Sequence, residues 1–399
     1  MAFTTLPMAG PNTAVTVPRR PAAAPAWHHV DLLLTATAAA ITAIGVLMVY
    51  STTRIPLGVA GENPESQMKK QLLFAVVGAG AFIATVFFDY KRYLSWAPVL
   101  YVGSLLLLLA TIAIGRSTLG ATSWIQVGSI QVEPSEIVKV SLILSLAALL
   151  ASRKGDVSGR VLIVVLALSV LPFALIYKQD ALGSAMVLAV VMIGMLLMAG
   201  TKGRHMIALA LLAAIAIGGI LQLGVLKQYQ KDRLLTFLVA PSGVGSSASS
   251  ASPYAANIEY QLGESKAAIA DGGLGGKGLF KGTETNLSYV PNQSTDFIFT
   301  AVAEQFGFVG SALLLALFVM MIWRSWRAAV LSRDLAGTLI CVGVLSMLTF
   351  QVFENIGMTM GIMPVAGITL PFMSSGGSSM IIDWIAVGLV VNVSMRRLS

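Results

Sequence analysis

The chain carries little charge, a single cysteine, few histidines and no nucleotide-binding signature. Asp, Glu, Lys and Arg make up 11% of its 399 residues, against roughly 25% in soluble domains, which excludes a water-soluble globular enzyme. Cys341 lies in an apolar run and, being alone, excludes an internal disulfide. His28, His29 and His205 offer no helical HExxH spacing for zinc, and no GxxxxGK[ST] loop is present to couple nucleotide hydrolysis to work. The basic residues sit beside apolar runs and form no separate basic face, so nucleic acid is not an expected partner.

What the chain has in quantity is apolar sequence, 56% hydrophobic residues with a mean hydropathy of +0.82. A hydrocarbon core requires about 20 apolar residues per helix. Runs near that length recur at 32–50, 72–88, 97–114, 137–151, 161–177, 183–200, 206–226, 297–323, 335–353 and 378–395. The expected fold is therefore an all-α polytopic membrane protein of about ten transmembrane helices. Residues 1–30, rich in Ala, Pro and Thr and without an apolar stretch before a cleavage site, are expected to form a disordered cytoplasmic tail. Residues 31–399 form a single transmembrane domain.

Basic residues set the orientation, because Lys and Arg in short connections are retained on the cytoplasmic side. Arg19 and Arg20, Lys91 and Arg92, Arg153, Lys154 and Arg160, Lys202 and Arg204, Arg324, Arg327 and Arg333, and Arg396 and Arg397 all fall on one side of a ten-helix path. Both termini are expected in the cytoplasm of a cell with an anionic inner leaflet, the protein being a multi-pass component of the cytoplasmic membrane. The large polar loop 227–296, between the seventh and eighth spans, then lies outside.

That loop is the place to look for chemistry, since connections beyond about 15 residues are usually functional or disordered. It contains the low-complexity run SSASSASP, from Ser246 to Pro253, a glycine-rich stretch DGGLGGKGLFKG, and Asp296 at the water boundary in NQSTDFIF. A carboxylate at the mouth of a hydrophobic run either ends the span or meets something at the membrane surface. Before the fourth span, Pro134 and Ser135 begin a helix with Glu136 in its first turn and Lys139 three residues later on the same face. That pair is either an ion pair at a helix start or a charged wall of a cavity for an anionic headgroup. YQKDRLLTFL places Arg233 in a stretch suited to lying at the interface.

EPSEIVK, YQKDR, ESKAAIADGGLGGKGLFKGTETNLSYVP, STDFIFTAVAEQFGFVG and NIGMTMGIMPVAGITLPFMSSGGSSM, in that order, together resemble the SEDS proteins of shape, elongation, division and sporulation over nearly the whole chain. The PVAGITLPF wording leans toward the RodA branch over the FtsW branch. The resemblance implies a ten-helix glycosyltransferase that polymerises lipid II on the outer face of the cytoplasmic membrane, working with a class B penicillin-binding protein. It assigns the family's TDF aspartate to Asp296, its PSExxK pair to Glu136 and Lys139, and its YQxxR arginine to Arg233. Several positions depart from the family pattern. Ser123 precedes Trp124 where an arginine is usual, so Arg116 is the candidate to supply that charge, and Glu133 stands where glutamine is usual. QDALG replaces QPDLG, so that Asp180 takes the acidic role one position early or Ala181 has abolished it. Asn292 and Ser294 replace ionisable residues beside Asp296, and the family's glutamate pair becomes Glu304 and Gln305.

The chemistry is arguable without the family. Joining sugars carried on a polyprenyl pyrophosphate needs a base for the acceptor hydroxyl and positive charge for the departing pyrophosphate. With no histidine in the external loops, Asp296 is the expected base, and Lys139, Arg233 and Lys277 are candidates for the phosphate side. A divalent cation, Mg or Mn, shared by Asp296 and pyrophosphate is compatible with this scheme, and no motif requires one. Two other classes fit the composition: a lipid II flippase, with Glu136, Lys139 and Asp180 lining its path, and a non-catalytic scaffold of the wall-synthesis machinery.

Overall fold

The computed structural model describes residues 30–114, 116–118, 121–127, 130–154, 156–222 and 253–397. The N-terminal tail, Arg233 with its surrounding stretch and nearly all of the run from Ser246 lie outside the described residues. In chain order the elements are α1 (Leu32–Val59), α2 (Ser66–Phe87), α3 (Tyr90–Ile114), β1 (Arg116–Thr118), β2 (Ala121–Val127), β3 (Ile130–Val132), α4 (Pro134–Ser152), α5 (Gly159–Lys178), α6 (Leu182–Met198) and α7 (Gly203–Gln222). They continue with α8 (Pro253–Gly272), α9 (Thr283–Leu287), α10 (Ile298–Val330), α11 (Leu335–Met360) and α12 (Gly377–Met395). Each expected span falls on one of these helices, the seventh as far as Gln222, where the described residues stop. Among the described residues eight helices are long and apolar enough to cross a bilayer, with α6 and the apolar part of α7, Gly203–Ile215, shorter. The chain is a multi-pass membrane protein.

The helices overrun the apolar runs where polar residues satisfy themselves along the helix. α1 continues from Tyr50 through Ser51, Thr52 and Thr53, whose last hydroxyl donates to the Val49 carbonyl at 2.7 Å, a bond that removes an unpaired group. α4, α11 and α12 form the centre: 83% of the apolar window of α12 is buried, against 22% for α2, so the outer helices present their apolar faces to lipid.

One end of the bundle is stitched by polar pairs. Arg324 at the end of α10 grips Asp31, the N-cap of α1, with bonds of 2.6 to 3.1 Å. The Tyr90 hydroxyl donates to Asp334, the N-cap of α11, at 2.8 Å. Buried Asn392 of α12 donates to the carbonyls of Thr85 and Phe88 and accepts from Tyr90 N–H, which closes the corner between α2 and α3.

The opposite end holds everything irregular. β1, β2 and β3, not anticipated from the sequence, form an antiparallel meander in which Arg116 pairs with Trp124 and Gln126 with Gln131. Strands of three to seven residues give too little alternation to be read from sequence. The loop 227–296 also contains more regular structure than its composition suggests. α8 is a 20-residue helix whose Ser265 is buried beside Thr300 at 2.6 Å and donates to the Thr359 carbonyl at 2.9 Å. α10 is broken near its start at Gly307, where φ is +64° and ψ −161°. The break leaves the carbonyls of Glu304 and Gln305 to accept from the N–H groups of Lys277 and Gly278, while Phe308 and Val309 donate to the carbonyls of Gly273 and Leu274. The glycine-rich stretch is thereby clasped against the broken helix, and its backbone groups are satisfied within protein, as a membrane protein requires.

Candidate active site

Asp296 ends the large loop, two residues before α10 begins, and its side chain is half-buried. Its neighbour Phe297 is fully buried in a small apolar cluster with Ile258 and Ala268 of α8, Met358 of α11, and Val290 and Val365. Anchoring that ring fixes where the carboxylate can point. The backbone around it is held from α11 and from the non-helical segment Met363–Gly376. The Asn355 side-chain amide donates to the carbonyls of Asp296 at 2.9 Å and Ile368 at 2.7 Å. The Ser374 hydroxyl donates to the Thr295 carbonyl at 2.6 Å, and Ser375 N–H donates to the Ser294 carbonyl at 2.8 Å. Gly367, with φ +68°, passes so near that a Cβ there would lie 3.5 Å from Asp296 Oδ2. An L side chain is disfavoured by that φ, while its Cβ would only touch the carboxylate at ordinary contact distance.

The departures at Asn292 and Ser294 fit this mounting, because both positions contribute backbone. The Asn292 carbonyl accepts from Thr295 and Phe297 N–H groups, and the residue sits at φ +55°, which asparagine tolerates.

Glu136 and Lys139 form an ion pair of 2.7 Å with both side chains almost wholly buried. Lys139 is among the largest fully buried side chains of the described residues. In this arrangement it is a structural cation of the site wall, without an open face toward a headgroup. Glu133, at the N-cap of α4, accepts from the Ser135 hydroxyl at 2.8 Å, and its own N–H donates to Ser378 at 3.0 Å. Burial pushes its carboxyl up to about 7, with the charge of Glu136 adding to the shift; Lys139 opposes it and Asp296 contributes in the same direction as Glu136. Asp296, Glu133, Glu136 and Lys139 are thus electrostatic neighbours. Asp383 of α12, fully buried, lies within range of Glu136 and Lys139. Sequence reasoning noted Glu133 only as a departure and missed Asp383, Asn355 and Ser374; the signal for Asp383 was a lone acid inside the last apolar run.

Lys277 lies elsewhere. It pairs with Asp271 and donates to the Thr283 hydroxyl at 2.9 Å, and the bond to Asp271 raises its affinity for the proton. Glu304 accepts from the N–H groups of Glu284 at 2.8 Å and Thr285 at 2.9 Å, capping α9. Gln305 accepts from Ser51 at 2.8 Å and Phe280 N–H at 2.9 Å, a role that needs only the acceptor oxygen a glutamine retains. Arg54 of α1 completes this corner, donating to the Phe280 carbonyl at 2.7 Å and stacking on its ring. Asp180 occupies the turn between α5 and α6 at φ +65°. Three residues on, Gly183 abuts Ala366 and Ile368, so this turn borders the segment beneath Asp296. Arg116 lies opposite Trp124 in the meander, one residue from Ser123; Arg233 is outside the described residues. Among the described residues no three His, Cys, Asp or Glu side chains converge as a group that could hold a metal ion.

Comparison with known proteins converges on one family. The family model described as Cell cycle protein, covering FtsW, RodA and SpoVE, matches residues 31–398. The chain is 33% identical to Stage V sporulation protein E of Bacillus subtilis, covering 91% of this chain and 96% of that protein. It is 32% identical to the probable peptidoglycan glycosyltransferase FtsW of Geobacter metallireducens, covering 92% and 95%, and 31% identical to the peptidoglycan glycosyltransferase MrdB of Escherichia coli, covering 92% and 94%. These near-equal identities do not separate the elongation branch from the division branch. Among solved structures, a chain of a peptidoglycan synthase complex superposes with a TM-score of 0.75 at 30% identity, covering 93% of this chain and 99% of that one. The rod shape determining protein RodA of Thermus thermophilus superposes with a TM-score of 0.65 at 28% identity, covering 94% and 100%. The chain belongs to the FtsW, RodA and SpoVE family of cell cycle proteins, the SEDS family whose motifs it carries from Glu133 to Met380.

Proposed function

We propose that this protein is a peptidoglycan glycosyltransferase that polymerises lipid II at the outer face of the cytoplasmic membrane, with Asp296 as the general base. The observation that carries the reading is the mounting of Asp296. A carboxylate at the irregular end of the bundle has its flanking carbonyls pinned by Asn355, Ser374 and Ser375 and its next residue locked in an apolar cluster. Such preorganisation is what a base needs to meet a hydroxyl at a fixed distance. The acceptor hydroxyl oxygen attacks the sugar carbon that bears the pyrophosphate, a new C–O bond forms as the old one breaks, undecaprenyl pyrophosphate leaves, and the hydroxyl proton passes to Asp296. No step is assigned to a divalent ion. The relatives named as glycosyltransferases support the reaction class. The structural relative drawn from a complex of polymerisation and crosslinking supports a class B penicillin-binding protein as partner. Arg233 and Arg116 remain the proposed phosphate contacts, and Asp180 lies in the turn that borders the segment beneath Asp296. The alternation of basic residues supports cytoplasmic termini.

The test is polymerisation of lipid II by the purified protein with its co-purifying partner. Asp296→Asn keeps size and loses proton acceptance, so glycan strands should fall about 100-fold or more while the thermal melt is unchanged. Retention of more than about a tenth of the activity would remove Asp296 as base. Movement of lipid II across vesicles without polymer would favour the transporter reading.

A further inference from the structure

Beneath Asp296, Leu370–Gly376 follows a turn outside any helix or strand, closed by Met373 and Ser374 N–H donating to the Leu370 carbonyl and held further by particular side chains. From α2, Gln71 donates to the Ser374 carbonyl at 3.0 Å and accepts from Gly376 N–H at 3.3 Å. Within the turn, the Ser374 hydroxyl accepts from Leu370 N–H at 2.8 Å while donating upward to the Thr295 carbonyl. From below, Asp383 Oδ2 accepts from Phe372 N–H at 3.1 Å. Phe372 is itself unusual. Its φ is +64°, a region that bulky side chains rarely enter and that persists only where surroundings over-determine it. Its ring stands edge-on to Trp384, the residue after Asp383, at 5.6 Å.

Asp383 is otherwise unexplained. It is buried in the middle of the protein, its Oδ1 has no hydrogen-bond partner, and it stands within electrostatic range of the Glu136–Lys139 pair. A buried acid in this position is costly unless it does something. Its one bond runs to Phe372 N–H in the turn that grips the Asp296 loop. We propose that Asp383 is a positioning residue for the polymerisation reaction: by holding Phe372 N–H it latches the Leu370–Gly376 turn in the strained form from which Ser374 and Ser375 grip Thr295 and Ser294. Asp296 is then aimed from both sides, by Phe297 in its apolar cluster and by a turn whose anchor is a carboxylate. The inference rests on Asp296 being the base.

The experiment compares Asp383→Asn, Asp383→Leu and Ser374→Ala with the wild type and Asp296→Asn, in the full chain purified with its partner. Lipid II polymerisation is followed at least 10 °C below each variant's melting midpoint, so that a merely less stable protein keeps its turnover. Asp383→Leu and Ser374→Ala should lower kcat about 10- to 100-fold, since misplacement of a catalytic group by about 1 Å has that scale, with KM for lipid II within about twofold of wild type. Asp383→Asn, which retains an acceptor oxygen for Phe372, should keep kcat within about threefold. Hydrogen exchange at Phe372 should accelerate in Asp383→Leu and stay protected in Asp383→Asn. Wild-type kcat in Asp383→Leu, a rise in KM alone, or equal losses in the Asn and Leu variants would each overturn the proposal. If Asp383→Leu does not accumulate in membranes, Ser374→Ala decides: unchanged kcat there breaks the latch. An active Asp296→Asn would defeat the base assignment, whereas an inactive Asp296→Asn beside fully active latch variants would defeat this inference alone.

Discussion

Glu133 shows how one substituted side chain changes the pH behaviour of the site. Its carboxyl, ordinarily near 4.5, is pushed up to about 7 by burial and by Glu136. The folded protein therefore holds that proton over a range where the unfolded chain has released it. The resulting stabilisation is complete below about 4.5 and is lost as pH rises through about 7. Glu133→Gln has no proton to lose, so its melting midpoint should fall less between pH 5 and pH 8 than that of the wild type, and it should melt higher at pH 8; parallel curves would refute the shift. The Glu136–Lys139 pair obeys a different rule. Both partners are buried and Glu136 Oε2 has no hydrogen-bond partner, so removing one charge strands the other, at a cost of about 3–5 kcal/mol. Lys139→Met should accumulate poorly, and adding Glu136→Gln should bring membrane abundance and melting midpoint back toward wild type. Wild-type melting of Lys139→Met alone would show that the pair does not brace the wall.

At the scale of elements, the site depends on breaks in helices. α10 is interrupted at Gly307 so that the glycine-rich stretch can bond to the exposed carbonyls of Glu304 and Gln305. A Cβ at Gly307 would lie 2.7 Å from the Leu274 carbonyl oxygen in addition to straining the backbone, for which about 1–3 kcal/mol is usual. Gly307→Ala should lower the melting midpoint by several degrees and open the 273–282 stretch to protease. Gly263→Ala, on the open face of α8 with nothing within 4 Å, is the control and should be neutral or slightly stabilising. Loss of stability in both, or in neither, would mean that the clasp is not what Gly307 serves. The positions of α8 and the meander were not legible beforehand. α8 mixes small, polar and a few larger apolar residues and is fastened by Ser265 and by apolar contacts from Ile258, Leu262 and Ala268, and such contacts leave no long periodic stripe.

For the whole molecule, the bundle has a stitched end and an irregular end, and the proposed orientation, which rests on the basic residues beside the spans, puts the stitched end in the cytoplasm. The single native cysteine, Cys341, is fully buried, so introduced cysteines report cleanly. Glu62→Cys, exposed beyond α1, should react with an impermeant maleimide on intact cells, and Ser152→Cys, at the end of α4, only after permeabilisation. The reverse pattern would invert the protein and place Asp296 in the cytoplasm.

Hydropathy by itself determined that this chain spans a membrane many times, roughly where each span lies, and that Asp296 stands just before a long apolar helix, because burial in lipid demands long apolar helices and leaves that demand written residue by residue. Glu136 and Lys139 were legible as a pair for the same local reason, three residues being nearly one helical turn. The tertiary structure alone decided that Lys139 is enclosed, that Asn292, Ser294 and Gln305 act through backbone or a single acceptor oxygen, and that Asn355 and Ser374 bond to the loop carrying Asp296 while Asp383 bonds to the turn beneath it. Those contacts join residues 11 to 79 positions apart, and no local period or spacing records a hydrogen bond made across a bundle.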